Sequence, residues 1–361
     1  MKILVAPDSG ICTPEIVPFT VYGGISAEYI VNFLKSPYVD GLVNGETYGI
    51  KMPRAGTDTM ISLLVPLPPL SEQHRIVAKI EELLPYIERY GKAEEHLTTL
   101  NTTFPEALKK SILQEAVQGK LVPQNPDDEP ASVLLERIRA EKQALIKAGK
   151  IKKDKHESVI VTRDKIPYEI IDGKERCLAD EVPFEIPDSW CWCRLGTIFQ
   201  HNTGKTLNSS NHQGTMMQYI TTSNLYWDRF ELDKLREMLF TDSEVEKCTV
   251  TKGDLLVCEG GDIGRAAIWN YDYPMRIQNH IHRLRSYAPV EVYFFYYVFY
   301  LYKRAGLIGG KGIGIQGLSS NAIDKLLIPL PPLAEQKKIV AKIEELMQYC
   351  DCLLYTSPSP R

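Results

Sequence analysis

The segment Leu63-Leu64-Val65-Pro66-Leu67-Pro68-Pro69-Leu70-Ser71-Glu72-Gln73 returns 263 positions later as Leu326-Leu327-Ile328-Pro329-Leu330-Pro331-Pro332-Leu333-Ala334-Glu335-Gln336, and the likeness runs on to Glu82-Leu83 and Glu345-Leu346. Each copy passes from an apolar, strand-like run through a stiff proline stretch into a helical pattern. Solenoid repeats have periods of roughly 20–50 residues, so this much longer period leaves room for a whole domain followed by a helix. Such a chain folds as globular domains alternating with long helices, an arrangement suited to treating two half-targets alike.

At 361 residues, 44% hydrophobic and 24% charged, the chain holds about two soluble domains. No run reaches the roughly 18–20 apolar residues of a membrane span, and Met1 to Asp8 is too short an apolar stretch for a secretory signal. The expected location is the cytoplasm, with no membrane partner. Cysteines 12, 177, 191, 193, 248, 258, 350 and 352 form no Cys-x-x-Cys pair, so free thiols and no metal site are expected. The net charge of −4 excludes a wholly basic protein but not a local cationic patch.

From about Leu70, Ile76, Ile80, Leu83, Ile87, Tyr90 and Leu97 fall on alternating three- and four-residue steps, the seam of a coiled coil. The second copy repeats it at Ile339, Ile343, Leu346, Cys350 and Leu353. The spacing predicts two helices that pair with each other, antiparallel within one chain, or else an amphipathic helix packed on its own domain. Pro85 should kink the first helix. A separate helix is expected to start at the Thr103-Phe104-Pro105-Glu106 capping box and stop at Gly119. After an acid- and proline-rich loop, a third helix runs from Ala131 to Ala148 into the basic linker Lys150 to Lys155.

Between about 187 and 328 the pattern changes to short β-like runs broken by Gly and Asn, such as Gln218 to Thr221, Asp254 to Cys258, Ala266 to Trp269 and Ile281 to Arg285, followed by an aromatic helix from Val290 to Lys303. This is a mixed α/β (α+β) domain. At the 263-residue offset Ser26 to Gly49 aligns with Pro289 to Gly312 without a gap, so the first domain is expected as its last third only.

Catalytic patterns fail. Thr203-Gly204-Lys205-Thr206 invites a phosphate-loop reading, yet Phe199 stands where that loop needs its first glycine. Gly260-Gly261-Asp262-Ile263-Gly264 is not followed by a helical pattern, and no nucleophile elbow, zinc-protease pair or amino-methyltransferase motif occurs. Glu81-Glu82 and Glu344-Glu345 read as the solvent side of the seam helices. The candidates are therefore binding residues on polar loops: Lys205, Thr206, Asn208, Ser209 and Ser210; Asn224, Tyr226 and Arg229; Arg265; and Lys311, Gln316, Ser319 and Asn321. These are residue types that contact phosphates and base edges. From Arg194 to Gln316 there are 14 Lys/Arg against 12 Asp/Glu, so any cationic patch must arise from folding.

The doubled Pro-Leu-Pro-Pro-Leu-[Ser/Ala]-Glu-Gln block resembles that of DNA-specificity subunits of type I restriction-modification systems. So do Ser111 to Ala116, Gly119-Lys120-Leu121-Val122-Pro123-Gln124, the stretch Asp127 to Ser132, Gly204-Lys205-Thr206 and Gly253-Asp254-Leu255-Leu256. The resemblance covers nearly the whole chain. It implies two target-recognition domains that read the halves of a split sequence in double-stranded DNA, alternating with long conserved coiled-coil helices. It also implies no catalysis and no cofactor in this chain, two adenine-methylating partner subunits that use S-adenosylmethionine, and through them restriction subunits that use ATP and Mg.

On this reading 1–69 is the remnant of a first recognition domain, 70–118 the first conserved helical region, 119–180 a helix and basic linker, 181–328 the second recognition domain and 329–352 the start of the second conserved helix. Residues 353–361 resemble adapter read-through, a non-native tail. A helix from Leu70 to Asn101 would be about 48 Å long at 1.5 Å per residue, enough to set half-site spacing. Lys51 and Arg54 would sit in the incomplete first reader. The competing readings are a structural scaffold that uses the duplicated helices without binding DNA, and an enzyme of nucleic-acid metabolism.

Overall fold

The computed structural model describes residues 3–13, 16–45, 57–153, 158–207, 213–308 and 318–356, and the chain divides into two compact units, Met1–Leu100 and Asn101–Arg361. In the first unit Ser26 caps helix α1 (Ala27–Leu34), its hydroxyl accepting from the Tyr29 N–H. Helices α2 (Pro37–Gly45) and α3 (Thr57–Ile61) follow. Leu34, Val39, Val43 and Met60 form a small core with Ile30, Phe33 and Leu63. Residues 63–69, the first copy of the repeat's apolar run, form no strand, and Leu64 is 83% exposed.

Helix α4 is continuous from Leu70 to Val117. The expected break at Thr103 is absent. A capping box needs its first residue outside the helical region, and here the backbone passes through Thr103 and both Pro85 and Pro105. A proline costs one i→i−4 bond, and the last turns are held by Ile112, Leu113, Ala116 and Val117, all buried in the core of the second unit. Gly119, at φ +72°, ends the helix with the Lys120 N–H on the Glu115 carbonyl.

Helix α5 (Ala131–Lys147) leads to strands β1 (Ser158–Arg163), β2 (Ile166–Ile171) and β3 (Lys174–Cys177). They form an antiparallel meander where only a linker was expected. Its turns, Asp164-Lys165 and Asp172-Gly173, all have positive φ, the geometry of two-residue hairpins. Next come β4 (Cys191–Arg194), α6 (Leu195–Ile198), β5 (Phe199–Thr203), β6 (Thr215–Ile220), β7 (Leu225–Tyr226), β8 (Arg229–Phe230), β9 (Arg236–Phe240), α7 (Asp242–Cys248), β10 (Thr249–Val250), β11 (Leu255–Cys258), β12 (Ala266–Ile268), β13 (Met275–Ile277), β14 (Ile281–Ser286), α8 (Val292–Arg304), α9 (Ser320–Asp324), β15 (Leu327–Leu330) and α10 (Leu333–Thr356).

Two four-stranded sheets, ordered β12-β11-β14-β5 and β10-β13-β6-β9, carry the unit. Side chains alternate across a strand, and β11 uses both faces. Leu255 and Val257 enter the main core with α8, while Leu256 and Cys258 enter a second core with Ile220, Val250, Trp269 and Ile277. Helix α8 is buried almost all round, through Phe294, Phe295, Tyr296, Val298, Phe299, Leu301 and Tyr302, as expected of a helix apolar on every side. It stays unbroken because Tyr300 stands where the first copy has Pro37, which splits α1 from α2. The second copy's apolar run, β15, pairs antiparallel with β4 and is fully buried.

Candidate nucleic-acid interface

Gly204-Lys205 is a packing feature rather than a ligand loop. A Cβ at Gly204 would strike the backbone of Ile277 and Gln278. Lys205 is buried, and its ammonium donates to the Leu239 carbonyl and to Glu244, each at 2.6 Å. The same Glu244 oxygen accepts the Thr241 N–H at 2.9 Å, closing the capping box of α7. Lys205 therefore leaves the set of exposed cations. Its sequence context looked like a loop because the β-bridge to Gln278 is invisible in local pattern. Asn224 is corrected for the same reason. Its side-chain oxygen accepts from the Thr221 N–H and hydroxyl, and its amide donates to the Glu231 carbonyl, so a buried turn uses up its polar groups.

The strands β7 and β8 form a hairpin whose two-residue turn is Trp227-Asp228, with Asp228 at φ +54°. Trp227 anchors the hairpin edge-on against Tyr296 and Tyr300 of α8. Burial pushes the Asp228 carboxyl above its ordinary range. Tyr226 and Arg229 emerge on either side of this anchor. The Arg229 guanidinium lies 5.0 Å and that of Arg265 4.9 Å from the Tyr226 ring centroid, so both cations stack on one tyrosine. Arg265 is fixed by donating to the Thr222 carbonyl at 2.6 Å. The Arg229 side chain is 68% exposed and its Nη2 lies 3.6 Å from Glu231 Oε1, a weak surface pair that phosphate oxygens, which fit the planar guanidinium fork, can displace.

Of the remaining candidates, Thr206, Ser319 and Asn321 are exposed, and Ser319 also caps α9, accepting from the Ala322 N–H at 3.4 Å. Asn208, Ser209, Ser210, Lys311 and Gln316 lie outside the described residues, as do Lys51 and Arg54.

Sequence reading missed a second cationic feature. A cleft of about 1360 Å³ is lined by Arg139, Lys142, Lys150, Lys152, Arg176, Arg194, Lys247 and Lys325 against Glu169, Asp180, Glu181 and Asp324. Part of that charge is internally neutralised. Arg194 and Arg176 both donate to buried Glu169, at 2.7 Å each, and the Arg194 hydrogen bonds, foremost, hold its carboxyl down at about 2. The Lys142 ammonium donates to the Gly196 carbonyl. Arg139, Lys150, Lys152, Lys247 and Lys325 have no ion pair among the described residues. They come from several separate elements, so only Lys150 and Lys152 stood out as a run in the sequence.

The seam residues divide by copy. Ile76 and Ile80 are half-buried and Leu83 and Ile87 exposed, whereas Ile339 and Ile343 are fully buried and Leu346 half-buried. In the second copy that face packs into its own domain's core. Seven cysteines among the described residues are free, no helix there is long and apolar enough to cross a membrane, and no metal-holding cluster of His, Cys, Asp and Glu occurs among them.

Residues 187–354 match the family described as the type I restriction modification DNA specificity domain. The chain is 28% identical to the specificity subunit of the Escherichia coli type I restriction enzyme EcoAI, covering 81% of this chain and 54% of that protein. It is 25% identical to the EcoEI specificity subunit of the same organism, covering 95% and 64%. The HsdS subunit from Thermoanaerobacter tengcongensis, a crystal structure, is 18% identical with a TM-score of 0.42 over 92% of this chain and 65% of that one. The chain thus spans 54% and 64% of the lengths of the two curated relatives.

Proposed function

Because residues 187–354 match the family described as the type I restriction modification DNA specificity domain, we propose that this chain is a non-catalytic DNA-binding subunit that directs methylation and restriction partners to a bipartite target. The domain match carries the reading, and the exposed Arg229 stacked on Tyr226 beside the pinned Arg265 gives it a chemical basis. Phosphate contacts from such cations position a protein on the duplex, and base contacts from neighbouring polar groups select sequence. The exposed apolar side chains Leu83, Ile87, Tyr90 and Leu97 along α4 suit a protein partner, which in this reading is the methylating subunit. S-adenosylmethionine, ATP and Mg are then bound by the partners.

The test is fluorescence anisotropy of the full chain with duplex DNA across a salt series. Affinity should fall linearly in log–log form as counterions are released, and Arg229→Ala should weaken binding on every sequence while lowering the salt slope by about one. Lys205→Ala should instead lower the melting temperature, because it strips Glu244 and the Leu239 carbonyl of a buried partner. Absence of binding at low salt, or an Arg229→Ala variant with the parent's slope, would remove the hairpin from the DNA face.

A further inference from the structure

The register of the β12-β11-β14-β5 sheet brings several chain segments to one end. Cys258, which closes β11, stands opposite Ile281 at the start of β14; Val257 stands opposite Ala266 at the start of β12, and Thr203, which closes β5, opposite His282. Arg265, Glu259 and His280 therefore leave the sheet side by side. Arg265 brings with it the stack on Tyr226 that it shares with Arg229. The turn Gln278-Asn279-His280 at this end is held from three sides: the Gln278 N–H donates to the Ile220 carbonyl at 3.0 Å, the Asn279 N–H to the Lys205 carbonyl at 3.0 Å, and the His280 carbonyl accepts the Glu259 N–H at 2.9 Å.

The backbone of this turn is fixed while its side chains are not. The His280 side chain is 55% exposed, with Nδ1 3.6 Å from Glu259 Oε2, and the Asn279 amide nitrogen lies 3.5 Å from His280 Nε2. Both contacts are longer than an ordinary hydrogen bond. The Asn279 Oδ1 has no hydrogen-bond partner among the described residues, whereas Asn224, in its buried turn, spends both ends of its amide on the backbone. The Glu259 carboxylate beside the turn repels phosphate, so the turn suits an uncharged base edge. An asparagine amide donates and accepts at once, which matches adenine, whose major-groove edge presents an amino donor next to the N7 acceptor.

We propose that Asn279, presented on this turn beside His280 and Glu259, reads an adenine in the major groove while Arg229 and Arg265 hold the phosphates. Strand β14 lies two strands from β12, about 10 Å at the usual strand spacing, and the major groove is roughly 12 Å wide. One duplex can therefore meet Arg265 with its backbone and Asn279 with a base. The inference rests on the proposed function and names a specificity-determining residue within it.

Randomised duplex DNA, selected with the full chain and sequenced, reads the preference position by position. In Asn279→Ala the preference for adenine should fall by about tenfold or more at one position and stay at the parent's level elsewhere, whereas Arg229→Ala should weaken all sequences alike. An adenine analogue with carbon in place of N7 at that position should cost the parent a comparable factor and the Asn279→Ala variant nothing. A variant that keeps the parent's whole pattern, or one that loses all positions equally along with its melting temperature, would overturn the assignment. So would a parent that binds duplex with no preference anywhere, a result that leaves the proposed DNA binding standing. A parent that binds no duplex even at low salt would overturn the proposed function itself, and this inference with it.

Discussion

The two copies of the Leu-Pro-Pro-Leu unit share their sequence and differ in what surrounds them. In both, the glutamine at the helix start does the same thing. Gln73 accepts the Ser26 N–H at 3.0 Å and donates to the Pro68 carbonyl at 2.8 Å; Gln336 accepts the Glu291 N–H at 2.9 Å and donates to the Pro331 carbonyl at 2.8 Å. Ser26 and Glu291 are the N-cap residues of α1 and α8. One buried side chain therefore ties the proline stretch to the start of an earlier helix, α1 or α8, in either context. Strand pairing and burial differ. Residues 326–332 are buried, with β15 paired to β4, while residues 64–67 are exposed and unpaired. The motif thus sets its own local geometry, and a partner strand decides whether its apolar run becomes a sheet.

The sharpest break would come from charge placed at equivalent seam positions. Ile343→Asp puts an unpaired carboxylate into the core and should cost more than about 4 kcal/mol, abolishing cooperative melting of the second unit. Ile80→Asp, at a half-buried position, should cost about 1 kcal/mol or less. Equal losses in calorimetry would mean that the two helices bury their seams alike, and the contrast between copies would fail.

The glutamines test the opposite half of the comparison. Gln336→Ala and Gln73→Ala each leave one buried and one part-buried backbone group unpaired, and should each cost roughly 1–3 kcal/mol. Similar losses by chemical denaturation support a self-contained bridge. A loss confined to Gln336→Ala would show that the first bridge contributes nothing.

Much of this was legible beforehand, for reasons that can be named. Strands such as Leu255–Cys258 and the aromatic helix α8 announce themselves by composition and period. The glutamine bridge does not, since its two partners lie five and more than forty residues away. The β1–β2–β3 meander carried visible signals, alternating Val and Ile around Asp172-Gly173, which the adjoining basic run obscured. At the interface, exposed Arg229 was readable as a loop cation, whereas Lys205 resembled one and is consumed by Glu244. No short pattern distinguishes a lysine that meets solvent from one that meets a helix cap forty residues on. The hydrogen-bonded pair His201 and His282 was equally hidden, on strands β5 and β14.

The smallest effect concerns the glutamate beside each glutamine. Glu335 is buried, accepting the Trp190 indole N–H at 2.9 Å and the Gln124 amide at 2.5 Å, and burial raises its carboxyl above the ordinary range. Glu72, its copy, is exposed. A raised folded value means the native state holds the proton longer than the unfolded chain, so this group favours folding most below the ordinary carboxylate value near 4.5. That contribution is lost as pH rises through the folded value. Glu335→Gln removes the titration but turns one acceptor into a donor facing a donor, so its net cost at neutral pH should be only about 1 kcal/mol. Its melting temperature should then lose less than the parent's between pH 4.5 and pH 7, whereas Glu72→Gln should match the parent's profile within about 0.5 kcal/mol. If both variants flatten the profile equally, the two glutamates share one environment, and the first copy is covered in solution as the second one is.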